Sequence, residues 1–217
     1  MLKEKKYILF DLDGTITNSK LGITKSVQYS LKHFNINVEN LDDLCTFIGP
    51  PLKDSFMKFY VFEETKALEA ISKYREYFVE KGIYENELYE NIVDALSILK
   101  EKEKTIILAT SKPKIFAEKI LQHFNLAHYF SYVCGSELDG KRTKKGDVIK
   151  HVLKENNITD MNSVIMIGDR EHDVIGAKES NIDCIGVLYG FGDYEELSKA
   201  GAVYIVNDIN ELKKLFY

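Results

Sequence analysis

An α/β fold is expected from this chain: a parallel sheet with helices on both faces, plus an all-helical cap domain inserted after the first strand. Three observations point to it. Short runs such as residues 7–10, 105–110 and 164–168 are apolar almost throughout, as strands buried on both faces are. Amphipathic helical stretches alternate with these runs over the second half of the chain. Between the first run and the second, residues 18–85 offer helix after helix and no convincing strand.

Taken in order, Tyr7-Ile8-Leu9-Phe10 is the opening strand, and Gly14 lets the backbone turn sharply away after it. Residues 21–34 carry Ile23, Val27, Leu31 and Phe34 at a helical period. Residues 41–48 form a short helix closed by the breaker cluster Gly49-Pro50-Pro51. Residues 52–60 and 63–81 continue helically, the latter with Leu68, Ile71, Tyr74 and Phe78 as its stripe and Gly82 as its C-cap. Residues 88–102 are a helix with Ile92, Ala95, Leu96 and Leu99 inward. Strands over 105–110, 132–134, 164–168, 184–188 and 203–206 then alternate with helices over 113–124, 144–155, 172–180, 194–199 and 209–216. The expected core domain is therefore 1–17 plus 86–217, and the expected cap is 18–85.

The totals bound the function. At 217 residues the chain makes one large domain or a medium one carrying a smaller one, and 45% hydrophobic with 29% charged residues is ordinary globular composition. A net charge of −5, with lysines scattered, speaks against a nucleic-acid partner. The apolar run after the charged N-terminus stops at Asp11, too short for a signal peptide, and no stretch approaches the roughly 20 apolar residues of a membrane span. Cys45, Cys134 and Cys184 are far apart in apolar contexts and read as buried free thiols. A cytoplasmic protein with no membrane partner is expected.

In an open parallel sheet, ligands bind beyond the carboxyl ends of the strands, so strand-end residues carry the chemistry. The first strand ends on Asp11 and Asp13. Residues i and i+2 of a strand point the same way, so both face one site if the extended geometry persists. Two close carboxylates repel, and a hard divalent ion held by oxygen is the natural relief. Asp11 is the candidate nucleophile on phosphorus, and Asp13 the general acid and then base. Asp169, after an apolar strand and Gly168, is a candidate metal ligand. Asp173 caps its helix or orients a lysine or a metal-bound water. Thr110 offers a hydroxyl to a phosphate oxygen, with the Ser111 amide at the start of the following helix. The phosphoryl group also wants a cation. Val148, Ile149, Val152 and Leu153 lie at +3, +4, +7 and +8 from Lys145, which puts Lys145 rather than Lys144 on the inward face. Arg142 is a weaker anion-binding candidate, and Glu171 and His172 read as polar surface.

Asp11-Leu12-Asp13-Gly14-Thr15, Leu108-Ala109-Thr110-Ser111-Lys112-Pro113, Lys145 and Gly168-Asp169-Arg170-Glu171-His172-Asp173 stand in the order of the four motifs of the haloacid dehalogenase-like hydrolases, which the whole chain resembles. The resemblance implies a Rossmann-like core and Mg²⁺ bound by Asp11, the Asp13 carbonyl and Asp169. It implies attack by Asp11, acid/base work by Asp13, and a phosphoryl group held by Thr110 and Lys145. The helical insertion resembles the family's small helical cap. The loop Gly49-Pro50-Pro51-Leu52, residues 144–149 and Gly190-Phe191-Gly192 resemble the phosphoglycolate phosphatase and 5′-nucleotidase-like branch. Many relatives have Lys-Pro at the third motif, where Gly146 follows Lys145 here.

The expected function is a Mg²⁺-dependent phosphomonoesterase acting on a small phosphorylated metabolite, as a monomer or homodimer. Gly49, Pro50 and Lys53 are the cap residues expected to meet the leaving group, while Arg75 reads as a structural ion-pair residue. A phosphosugar mutase and a catalytically silent phosphometabolite sensor are the alternatives. A dehalogenase, attacking carbon, has no use for Asp13 or for the metal.

Overall fold

The computed structural model describes residues 2–217 and divides into two compact units, residues 1–17 with 88–217 and residues 18–87. In the larger unit β1 (Tyr7–Phe10) is central to a six-stranded sheet. The chain then passes through β2 (Thr17–Asn18) into the smaller unit and returns through β3 (Glu87–Leu88), and the two short strands lie side by side as a ribbon.

The smaller unit is helical. It holds α1 (Lys20–His33), a 3₁₀ turn over Leu41–Phe47, α2 (Leu52–Tyr60) and α3 (Glu64–Tyr77). Its core is aromatic: Phe47 meets Phe56 edge-on with centroids 4.9 Å apart, and Phe34 meets Phe62 at 5.1 Å. The Ser30 hydroxyl donates to the Ala70 carbonyl at 2.7 Å, tying α1 to α3. Two expectations for this unit need correction. The inward face of α3 is Ala67, Ala70 and Tyr74, while Leu68 is 53% exposed. Gly82 is not a helix cap: α3 runs on into a π turn over Phe78–Gly82. Glycine is needed there for close approach, since a Cβ on the facing Gly22 would lie 1.9 Å from the Gly82 carbonyl oxygen.

The larger unit continues with α4 (Ile92–Glu101), β4 (Thr105–Pro113), α5 (Lys114–His123), β5 (Tyr132–Ser136), α6 (Lys145–Glu155), β6 (Val164–Gly168), α7 (Glu171–Lys178), β7 (Asp183–Val187), α8 (Tyr194–Ala200), β8 (Tyr204–Val206) and α9 (Ile209–Lys214). The sheet order is β5-β4-β1-β6-β7-β8, and its pairs run parallel. Ile92, Ala95, Leu96 and Leu99 are buried as their spacing requires. On one sheet face Leu9, Ile107 and Met166 pack with Val148, Ile149 and Val152 of α6, Val174 and Ala177 of α7, and Leu197 of α8. Alternation sends Ile8 and Phe10 to the other face, and both are fully buried. The result is a Rossmann-type layered fold. Of the three free cysteines, Cys134 and Cys184 are buried and Cys45 is only partly covered.

This order sets where a site can form. Phe10 is level with Leu108 of β4 and Ile167 of β6, so β1 and β6 end at nearly the same level while β4 runs on to Pro113. From β1 the strand order runs outward in both directions, the switch point at which such sheets open a crevice.

Candidate active site

The first carboxylate is fixed by strand pairing. The Asp11 amide donates to the Ile167 carbonyl at 2.9 Å, carrying the β1 ladder one residue past the strand. Extended geometry then stops. The amides of Ile16 and Thr17 both donate to the Leu12 carbonyl, and Gly14 adopts φ +82°, closing a tight turn. The turn, not strand alternation, therefore places the Asp13 side chain, which pairs with Lys112 while Asp11 pairs with Lys145.

The carboxylates that gather are Asp11, Asp169 and Asp173, each buried, with one oxygen from each within 4.8 Å of the others. Lys145 stands among them. Its Nζ lies 2.7 Å from Asp11 Oδ1 and 2.8 Å from Asp173 Oδ1, and donates to the Ala109 carbonyl at 3.0 Å. The inward face assigned to Lys145 is the observed one, while Lys144 is the N-cap residue of α6.

Electrostatics follows from burial. Desolvation pushes Asp11 up to about 6; Lys145 pulls it down, and Asp173 adds to the rise. Burial depresses Lys145, but Asp11 and Asp173 outweigh it and hold the ammonium above its ordinary value. Asp169 is raised well above the carboxylate range, by burial first and then by Asp173 and Asp11. Its hydrogen bonds come from neutral donors, the Phe191 amide at 2.8 Å and the Thr15 hydroxyl at 3.4 Å. A fully buried carboxylate held that way, beside two more, is a donor set of hard oxygens short of positive charge. It fits a divalent cation such as Mg²⁺.

Asp169 is held tightly. A Cβ on Gly14 would lie 2.1 Å from Asp169 Oδ2, and one on Gly190 would lie 2.3 Å from Asp169 Cβ. Asp173 does both things asked of it. Its Oδ2 accepts from the Arg170 amide at 3.1 Å, capping α7, while Oδ1 faces Lys145.

Thr110 is buried on β4 beside Asp11, whose pKa it helps to hold down, and its hydroxyl accepts from the Lys112 amide at 3.3 Å. Ser111 sits differently from expectation. β4 reaches Pro113 through an irregular stretch after Ala109, and α5 starts at Lys114, so the Ser111 amide lies in that stretch rather than at a helix N-terminus. Arg142 is engaged within its own loop by Glu137 and the Gly135 carbonyl. Glu171 is exposed, with its amide donating to Glu196.

Some residues of the site went unread in the sequence. Lys112 Nζ donates to both oxygens of Asp13, at 3.0 and 2.8 Å. The Tyr189 hydroxyl donates to the Thr15 carbonyl at 3.1 Å, and its ring meets Tyr89 edge-on at 4.9 Å. Burial first and Asp169 second raise the pKa of both phenols. No motif pointed to either tyrosine.

Gly49, Pro50 and Lys53 belong to the smaller unit. Gly49 has φ +102°, and Lys53 pairs with Glu64 at 2.9 Å on its exposed surface. Arg75 is half-buried on α3, and burial lowers its pKa.

This sheet, with buried acids and a lysine converging at its switch point, is a Rossmann-type fold carrying a candidate active site. Residues 8–187 match the model of the haloacid dehalogenase-like hydrolases, and the chain belongs to that family. It is 43% identical over 208 residues to a 5′-nucleotidase of Pseudomonas aeruginosa, spanning 96% of this chain and 94% of the relative. Against a tyrosine-protein kinase of Mycobacterium tuberculosis it is 32% identical, over 95% of this chain and 71% of that one. A phosphoglycolate phosphatase of Colwellia psychrerythraea is 26% identical over 97% and 96%. Among solved structures, a predicted phosphatase from Clostridium acetobutylicum superposes with TM-score 0.95 at 54% identity, with 97% of each chain covered. No helix among the described residues is long and apolar enough to cross a membrane.

Proposed function

We propose that this hydrolase is a Mg²⁺-dependent phosphomonoesterase working through an aspartyl-phosphate on Asp11. The observation that carries the reading is the buried cluster of Asp11, Asp169 and Asp173 around Lys145, with Thr110 beside the nucleophile. An Asp11 oxygen forms a bond to phosphorus as the ester P–O bond breaks, and Asp13 gives the departing alkoxide its proton. A water then attacks phosphorus, Asp13 takes up its proton, and inorganic phosphate leaves Asp11 free. Lys145, Thr110 and the Ser111 amide hold the phosphoryl oxygens. Asp173 keeps Lys145 in place, and Asp11, Asp169 and the Asp13 carbonyl hold the ion. When bound, Mg²⁺ supplies the positive charge that offsets the phosphoryl oxygens.

The substrate is a small phosphorylated metabolite, in the class of 5′-nucleotides or phosphoglycolate, in keeping with the names of the relatives. Residues 18–87 select the substrate, with Gly49, Pro50 and Lys53 as their candidate recognition residues. A second reading, transfer of the phosphoryl group to an acceptor other than water, draws on the relative named as a kinase. Product analysis separates the two, since only hydrolysis yields one inorganic phosphate per ester consumed. Phosphate release from p-nitrophenyl phosphate is expected to vanish with chelator and return with Mg²⁺. Asp11→Asn is expected to abolish that release with its melting curve intact; unchanged turnover overturns the nucleophile.

A further inference from the structure

We infer that Lys112 is a positioning residue for Asp13, setting where the acid/base carboxylate points; this rests on the role proposed for Asp13 above. β1 and β4 run side by side in register, with Phe10 level with Leu108. Past that point the turn after β1 carries Asp11 and Asp13, and the irregular end of β4 carries Thr110 and Lys112, whose amide donates to the Thr110 hydroxyl at 3.3 Å. Lys112 reaches across to grip Asp13. The pair is buried, with side chains 6% and 10% exposed, and the ammonium spans both carboxylate oxygens at 3.0 and 2.8 Å.

The Lys112 backbone is itself held. A Cβ at Gly135 on neighbouring β5 would lie 2.4 Å from the Lys112 carbonyl oxygen, so the strands touch closely at this level. A lysine anchored at its backbone and gripping both oxygens leaves Asp13 one orientation. Asp13 lies within the tight turn, where its backbone pairs only locally, with Thr17, and its side chain takes its place from Lys112. The two cations thus divide the work: Lys145 serves the Asp11 cluster, and Lys112 serves the carboxylate outside it.

The test compares two leaving groups. p-Nitrophenolate departs without a proton, whereas the alkoxide of adenosine 5′-monophosphate or phosphoglycolate, whichever is turned over faster, needs one. Asp13→Asn comes first: if it leaves both esters unaffected, the function proposed for Asp13 fails. If it lowers kcat/KM, which reports departure of the leaving group, more for the alkyl ester than for p-nitrophenyl phosphate, Lys112 is tested next; an equal fall in kcat/KM for both esters overturns the acid role of Asp13 and the inference with it. In Lys112→Met, kcat/KM for the alkyl ester is expected to fall roughly 10- to 100-fold, a part of what a positioned acid supplies, with little change for p-nitrophenyl phosphate. Lys112→Arg is expected to recover part of it. Should Lys112→Met not fold, the double variant Lys112→Met/Asp13→Asn, which leaves no unpaired buried charge, carries the test. Its rate is expected to match Asp13→Asn alone. Equal losses on both esters, or a double variant slower than Asp13→Asn by the full Lys112→Met factor, overturn the inference.

Discussion

Lys145 shows how one side chain holds a site together. Its ammonium is the shared partner of Asp11 and Asp173, and all three groups are buried. Removing one member of such a set strands the others without charge, so Lys145→Met is expected to cost about 3–5 kcal/mol. For a chain of this size that is a fall in Tm on the order of 10 °C, read by thermal melting. Turnover of p-nitrophenyl phosphate should drop about 100-fold or more in the same variant. Gly190 makes a different point. An added methyl at Gly190 meets Asp169 Cβ at 2.3 Å and the Gly14 carbonyl at 2.4 Å, so Gly190→Ala must displace the acid. Mg²⁺ affinity measured by calorimetry is expected to weaken by roughly 10- to 100-fold. Most of this was legible beforehand. Apolar runs ending in acids named Asp11 and Asp169, and a helical stripe named Lys145. Lys112 was hidden because Pro113 reads as a helix start, which concealed the irregular end of β4 that carries the lysine.

At the scale of elements, periodicity found the helices but not their ends or faces. Each α3 position that differs from expectation has a packing cause: alanines face α1 because the helices approach closely, leaving Leu68 outside. The π turn at Phe78–Gly82 widens the helix where Gly22 and Gly82 meet, a contact between residues 60 apart that no local pattern records. The end of α2 stores strain. Val61 caps it at φ +53°, ψ +34°, 85% exposed, in the left-handed region that a β-branched residue adopts at a cost of roughly 1–2 kcal/mol. Val61→Asn keeps the backbone and relieves the crowding. A gain of about 1 kcal/mol, seen as a rise of roughly 2–4 °C in Tm, is expected; a lower Tm would show that Val61 makes compensating contacts.

At the scale of the molecule, every residue assigned to the chemistry belongs to the larger unit, while β2 and β3 bring the two chain crossings side by side. Replacing residues 18–87 by a short Gly-Ser link is therefore expected to leave a folded unit that still releases phosphate from p-nitrophenyl phosphate. Its rates across a panel of phosphorylated metabolites should level out if residues 18–87 select the substrate. The two-unit division was readable from the run of helices between strands, because an insertion changes the pattern abruptly. Which part of the insertion meets a substrate was not, since that depends on side-chain shape rather than on period.

The place of β1 in the sheet also bears on how the chain is made. Its neighbours, β4 and β6, begin at Thr105 and Val164, so β1, made before either, waits until β6 has emerged before both its edges are covered. The helical insertion, continuous in sequence, has all its own partners long before then. Synthesis thus favours an order in which the insertion consolidates early and the nucleophile's strand is locked late. A truncated chain ending before Val164 would hold that strand with one edge bare, exposed to pairing with another copy.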